Sequence, residues 1–64
     1  MNAKELKEQA AWLVNTSVQD LESSLRGHEK DIEVLRKALR IVKGRGEKTK
    51  VMVLTRRIRQ MEKA

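Results

Sequence analysis

Cysteine, proline, phenylalanine and tyrosine are all missing from the 64 residues, and the aromatic content is one tryptophan, Trp12. Without cysteine the chain has no disulfide staple and no thiolate metal site, which suits a reducing compartment or indifference to one. Without proline nothing interrupts a helix from within. No apolar run approaches the roughly 20 residues that cross a bilayer. The opening Met1-Asn2-Ala3-Lys4-Glu5-Leu6 runs straight into charge, unlike a signal peptide. These absences lead to the expectation of a cytoplasmic protein with no membrane partner.

Groups for catalysis are equally scarce. The single histidine, His28, has Ser24 and Ile32 one turn away on a helix and no carboxylate on the same face to orient it. Gly44-Arg45-Gly46-Glu47-Lys48-Thr49 ends in Lys-Thr after a glycine. A phosphate-binding loop needs four residues between its glycines, a lysine directly after the second, and a preceding strand, and none of these is present. The expectation is a protein without enzymatic activity, cofactor, metal or small-molecule substrate.

Positive charge is abundant, and its placement is uneven. Residues 1–25 hold Lys4 and Lys7 against Glu5, Glu8, Asp20 and Glu22, a balance of −2. Residues 26–64 hold thirteen Lys or Arg against five acids, a balance of +8. The basic part is therefore the candidate nucleic-acid surface.

Apolar spacing fixes the fold class as all-α. Val14, Val18, Leu21, Leu25, His28, Ile32, Leu35, Leu39 and Val42 alternate steps of four and three, a heptad seam in which His28 is the one polar member. Gly44 is placed to take the left-handed conformation that ends this helix. A second seam follows at Val51, Leu54, Ile58 and Met61. The chain thus reads as an antiparallel helical hairpin, with a long helix at 17–43, a glycine turn at 44–46 and a final helix at 47–63. In that hairpin Val51, Leu54, Ile58 and Met61 oppose Leu39, Leu35, Ile32 and His28.

The final helix is too short to cover the whole long seam, so something else must cover Val18, Leu21 and Leu25. Leu6, Ala10 and Leu13 form a short stripe upstream, and Asn15-Thr16-Ser17 is a cluster of capping residue types with Asp20 three residues after Ser17. A first helix at about 3–14 would fold back after that cluster; one unbroken helix from 3 to 43, pairing with a second copy, is the alternative. For Lys48 to Thr55, rich in β-branched residues, a strand competes with the helix. On a helix, Met52 and Val53 fall on the outer face, where they pack on a neighbouring protein or are tolerated surface residues.

The cations fall on faces that the seams leave free. Arg36, Arg40 and Lys43 stand at i, i+4 and i+7, with Lys37 extending the face, and Arg56, Arg59 and Lys63 repeat the pattern on the last helix. Arg45, Lys48 and Lys50 surround the turn, and Glu47 is the one acid between Arg36 and Arg59. Such a surface suits phosphate oxygens. With Trp12 outside it, the expected recognition is of shape and backbone in folded RNA rather than of stacked bases.

Several of these residues resemble a known family. Met1 to Glu8, Ser17-Val18-Gln19-Asp20-Leu21-Glu22, the spacing of Leu25, Ile32, Leu35 and Arg36, a glycine-containing turn, and Arg56-Arg57-Ile58 with Met61 are together similar to the ribosomal protein twenty-nine family of the large subunit, in a divergent form of the bacterial or organellar type. The resemblance spans nearly the whole chain. It implies a small helical hairpin that binds large-subunit ribosomal RNA near the polypeptide exit, in a cytoplasmic or organellar ribosome. Ribosomal protein twenty-three would be its neighbour, and targeting factors or chaperones would dock nearby. It also implies that Lys4, Lys7, the basic end of the long helix, the turn, and Arg56, Arg57 and Arg59 face RNA. Two rival expectations are a homodimeric coiled-coil adaptor or helical chaperone, whose long seam pairs between copies, and a basic DNA-binding regulator.

Overall fold

The computed structural model of the chain describes residues 2–27 and 32–63. Among them are four helices: α1 (Ala3–Asn15), α2 (Val18–Gly27), α3 (Ile32–Arg45) and α4 (Lys48–Lys63), with no strand. The β-branched run after Lys48 is therefore helical, because its seam residues Leu54 and Ile58 meet the apolar core.

The helix starts follow local capping chemistry. Asn2 caps α1, its Oδ1 accepting from the Glu5 N–H at 2.9 Å. Ser17 caps α2, its Oγ accepting from the Asp20 N–H at 3.1 Å. The expected break after the first helix lies at this capping cluster, with Thr16 in extended conformation at the end of α1. Each side-chain cap satisfies one of the amide donors that a helix start leaves orphaned, typically worth about 1 kcal/mol.

The expected long helix at 17–43 is not one element. At about 1.5 Å per residue it would run about 40 Å, whereas the largest dimension of the molecule is 28 Å. Instead α2 lies against α4, while α1 and α4 both pack on α3. The fold is thus four helices rather than a two-helix hairpin with an added segment. A straight helix of that length would leave Leu21 and Leu25 beyond the reach of α4; as a separate element, α2 brings both into the core. The part of the seam at His28 lies outside the described residues.

Two apolar rows on α3 explain its central position. Ile32, Leu35, Leu39 and Val42 form the expected seam. Val34, Ala38 and Ile41 form a second row at i, i+4 and i+7, with Val34 and Ala38 fully buried. The wide apolar arc lets α3 pack against both α4 and α1, and α1 contributes Ala10, Leu13 and Val14 to the same core. The stripe on α1 was expected to cover Val18, Leu21 and Leu25; its main neighbour is α3, and α4 covers α2 instead.

The turn between α3 and α4 uses a different glycine from the expected one. Gly46 takes φ +72°, and Gly44 stays inside α3. The Gly46 N–H donates to the Lys43 carbonyl at 3.2 Å and the Glu47 N–H to the Val42 carbonyl at 3.1 Å. This is a Schellman ending, in which the left-handed residue follows the last helical one. The next helix starts at once, the Val51 N–H donating to the Glu47 carbonyl at 3.1 Å. Arg36 near the start of α3 meets Glu62 near the end of α4, so the two helices run antiparallel, as the seams require.

Candidate nucleic-acid interface

On α3 the arc opposite the two apolar rows is polar. Arg36, Arg40 and Lys43 are exposed there and Lys37 is half-buried, with Glu33 as the accompanying acid. On α4, Met52 and Arg56 stand two residues either side of buried Leu54, which at about 100° per residue directs them away from the core. Lys48, Arg59 and Lys63 are exposed on the same outer part of the helix. The two cationic arcs border one another along the α3–α4 contact, where Arg36 Nη2 donates to Glu62 Oε1 at 3.2 Å.

Burial and hydrogen bonding sort the expected phosphate ligands into groups. Arg40, Lys43, Lys48, Arg56 and Arg59 are exposed on this joint surface. Arg36 is paired, but its side chain is 59% exposed and that of Glu62 51%. An ion pair in that setting is worth about 0–1 kcal/mol, so a phosphate can displace the carboxylate at little cost. Arg57 is half-buried, its Nη1 donating to Gln60 Oε1 at 3.4 Å. It sits with Arg56 at an open cleft between α2 and α4 that also holds Glu22 and Val53.

Val53 was expected on the outer face, yet it is half-buried and packed against the core. The reason is α2, which gives α4 a second covered side. Met52 fits the outward expectation and is 62% exposed.

Lys50 departs most from the expected role. Its side chain is 12% exposed. Its ammonium donates to the Val14 carbonyl at 2.7 Å and to Glu47 Oε1 at 3.3 Å. It therefore serves the last turn of α1, where carbonyls lack intrahelical partners. Arg45 is exposed but engaged at the same place, its Nη1 donating to Asn15 Oδ1 at 3.0 Å and lying 3.9 Å from Glu47 Oε2. Together Lys50, Arg45 and Glu47 tie the end of α1 to the α3–α4 turn. The i,i+3 spacing of Glu47 and Lys50 was a local signal for this pairing; the carbonyl of Val14, thirty-six residues away, had none.

Lys4 and Lys7 are exposed on α1 among Glu5 and Glu8, on a different helix from the joint surface. Trp12 is 54% exposed on the same helix. Among the described residues no group of three His, Cys, Asp or Glu is placed to hold a metal ion, and no helix is long and apolar enough to cross a membrane.

Comparison of the chain with protein families, with curated proteins and with solved structures finds no match. The reading of this surface therefore stands on its residues and geometry.

Proposed function

We propose that the protein binds folded RNA without catalysis, gripping backbone phosphates across the outer faces of α3 and α4. The supporting observation is the run of exposed cations Arg36, Arg40, Lys43, Lys48, Arg56 and Arg59 on two adjoining helical faces, with Glu33 and Glu62 as the acids there. Arginine offers bidentate contacts and lysine a point charge, and each phosphate neutralised releases counterions. Trp12, the one aromatic, stands on α1 away from these faces, so recognition uses backbone and shape rather than base stacking.

The resemblance to the ribosomal protein twenty-nine family suggests the large ribosomal subunit as the assembly, with ribosomal protein twenty-three beside it near the polypeptide exit. The rival coiled-coil adaptor would pair copies through the long seam. Leu21, Leu25, Leu35 and Val42 of that seam are buried within one chain, which favours the RNA reading.

Titration of a folded ribosomal RNA fragment and of duplex DNA at several salt concentrations tests the proposal. The expected result is tighter binding to RNA, with affinity falling steeply as salt rises, and loss of binding on Arg40→Glu combined with Arg59→Glu. Equal affinity for both nucleic acids, or retention of RNA by the double variant, would overturn it. In cells, the protein should sediment with large subunits and leave them only at high salt; its absence from subunits washed at low salt would remove the ribosomal setting.

A further inference from the structure

Among the described residues two large apolar side chains stand exposed, Trp12 on α1 and Met52 on α4. α1 is balanced overall, Lys4 and Lys7 against Glu5 and Glu8, whereas α4 carries six Lys or Arg against Glu62, so what complementarity there is lies in the faces that carry the two side chains. Glu8 and Glu5 lie four and seven residues before Trp12, all exposed on the outer part of α1. Arg56 and Arg59 lie four and seven residues after Met52, all exposed on the outer part of α4. The two patterns are therefore mirror matches in spacing, with acids on one and arginines on the other.

We propose that these faces dock on one another between two copies of the chain, α1 of one copy lying antiparallel to α4 of the next. With Trp12 set on Met52, Glu8 falls opposite Arg56, about 6 Å along the helix, and Glu5 opposite Arg59, about 10.5 Å along. The thioether against the indole is a favourable contact in its own right. Within one molecule both faces are exposed rather than covered by each other. Since the two surfaces differ, the contact is head to tail and builds a ring or an open chain of copies.

The inference does not depend on the RNA reading, and it leaves Arg36, Lys37, Arg40 and Lys43 on α3 unoccupied. Each copy carries +6, so long-range repulsion keeps the association weak, and concentrations up to about a millimolar are needed to see it.

Sedimentation equilibrium of the full chain tests this, with Trp12 fluorescence as a second readout, since the lone tryptophan reports its own burial. The expected result is concentration-dependent association accompanied by a blue shift of the emission. Glu8→Arg and Arg56→Glu should each weaken it about tenfold or more, by setting like charges together. The variant carrying both changes should recover it, because every copy then presents both faces with their signs exchanged. Circular dichroism of these exposed-site variants should stay that of the parent. A chain that remains monomeric throughout, association indifferent to either reversal, or a double variant no better than the singles would overturn the proposal. RNA affinity altered by Arg40→Glu but not by Glu8→Arg would separate this contact from the RNA site.

Discussion

Replacing Lys50 with methionine separates a structural cation from those of the proposed RNA surface. The side chain is 12% exposed, donates to the Val14 carbonyl at 2.7 Å, and holds Glu47 Oε1 at 3.3 Å. Methionine keeps the aliphatic stem and removes the charge and its donors. A hydrogen bond to a charged group contributes about 1.5–3 kcal/mol net. Part of that returns if water reaches the carbonyl at the end of α1, so the expected loss is about 1–2 kcal/mol. Against a core that supplies about 3–5 kcal/mol, that is a large fraction. For a chain of this size it corresponds to roughly a 5–15 °C fall in Tm. Urea denaturation followed by circular dichroism measures it. Adding Glu47→Gln should recover some of the loss, because the carboxylate left behind in Lys50→Met has lost its closest cation. RNA affinity of Lys50→Met, measured well below its Tm, should match that of the parent. A stability change under about 0.5 kcal/mol, or a drop in RNA affinity as large as that of a surface-arginine reversal, would refute the assignment of Lys50 to the α1 terminus.

Arg36→Glu with Arg40→Glu should weaken RNA binding while leaving helicity near that of the parent, as read by filter binding beside circular dichroism; unchanged affinity would show that α3 is not part of the site. Leu35→Ala should cost about 2–5 kcal/mol, enough to unfold or loosen so small a core, and near-UV circular dichroism together with urea denaturation would show it. Gly46→Ala should destabilise by about 1–2 kcal/mol, since φ +72° is strained for any residue with a Cβ. Gly44→Ala should stabilise by about 0.5–1 kcal/mol, because the position is helical and a Cβ there meets nothing within 4 Å. Paired Tm measurements on the two glycine variants check the placement of the turn.

Local signals in the sequence carried the helices well and their arrangement poorly. Ser17 with Asp20 three residues later marks the start of α2, and Gly46 lies one residue past the end of α3, both through short-range chemistry. Gly44 was expected to end the helix because it is the first glycine after the seam; the choice falls on Gly46 because it and Glu47 complete the bonds to Lys43 and Val42. The heptad seam was misleading for a definite reason. A four-three spacing says which residues share a face, and it stays the same whether the helix continues or stops within it. Val34 and Ala38 are the residues that distinguish the cases. Their full burial requires a second neighbour for α3, which a two-helix hairpin lacks. Among the cations, exposure at Arg40, Lys43 and Arg59 follows from distance to the seam. The sequestration of Lys50 depends on where the end of α1 comes to rest, a tertiary fact with no short-range trace.

The same arrangement explains why the basic surface falls where it does. α3 gives about half its circumference to two apolar rows, so its cations are confined to the remaining arc. α4 gives one side to α3 and another to α2, which confines Lys48, Arg56, Arg59 and Lys63 likewise. From Arg36 to Arg59 inclusive there are ten Lys or Arg and one acid, Glu47, and Glu47 is already held by Lys50 and lies beside Arg45. Concentrating like charge on adjoining arcs raises the self-repulsion of the compact state, in a chain whose core is too small to offset much of it. A polyanion laid along α3 and α4 relieves that repulsion and favours the folded chain by mass action. If the proposed RNA binding holds, stability and binding are linked through the same residues, because the packing that buries both rows of α3 also assembles the cationic surface.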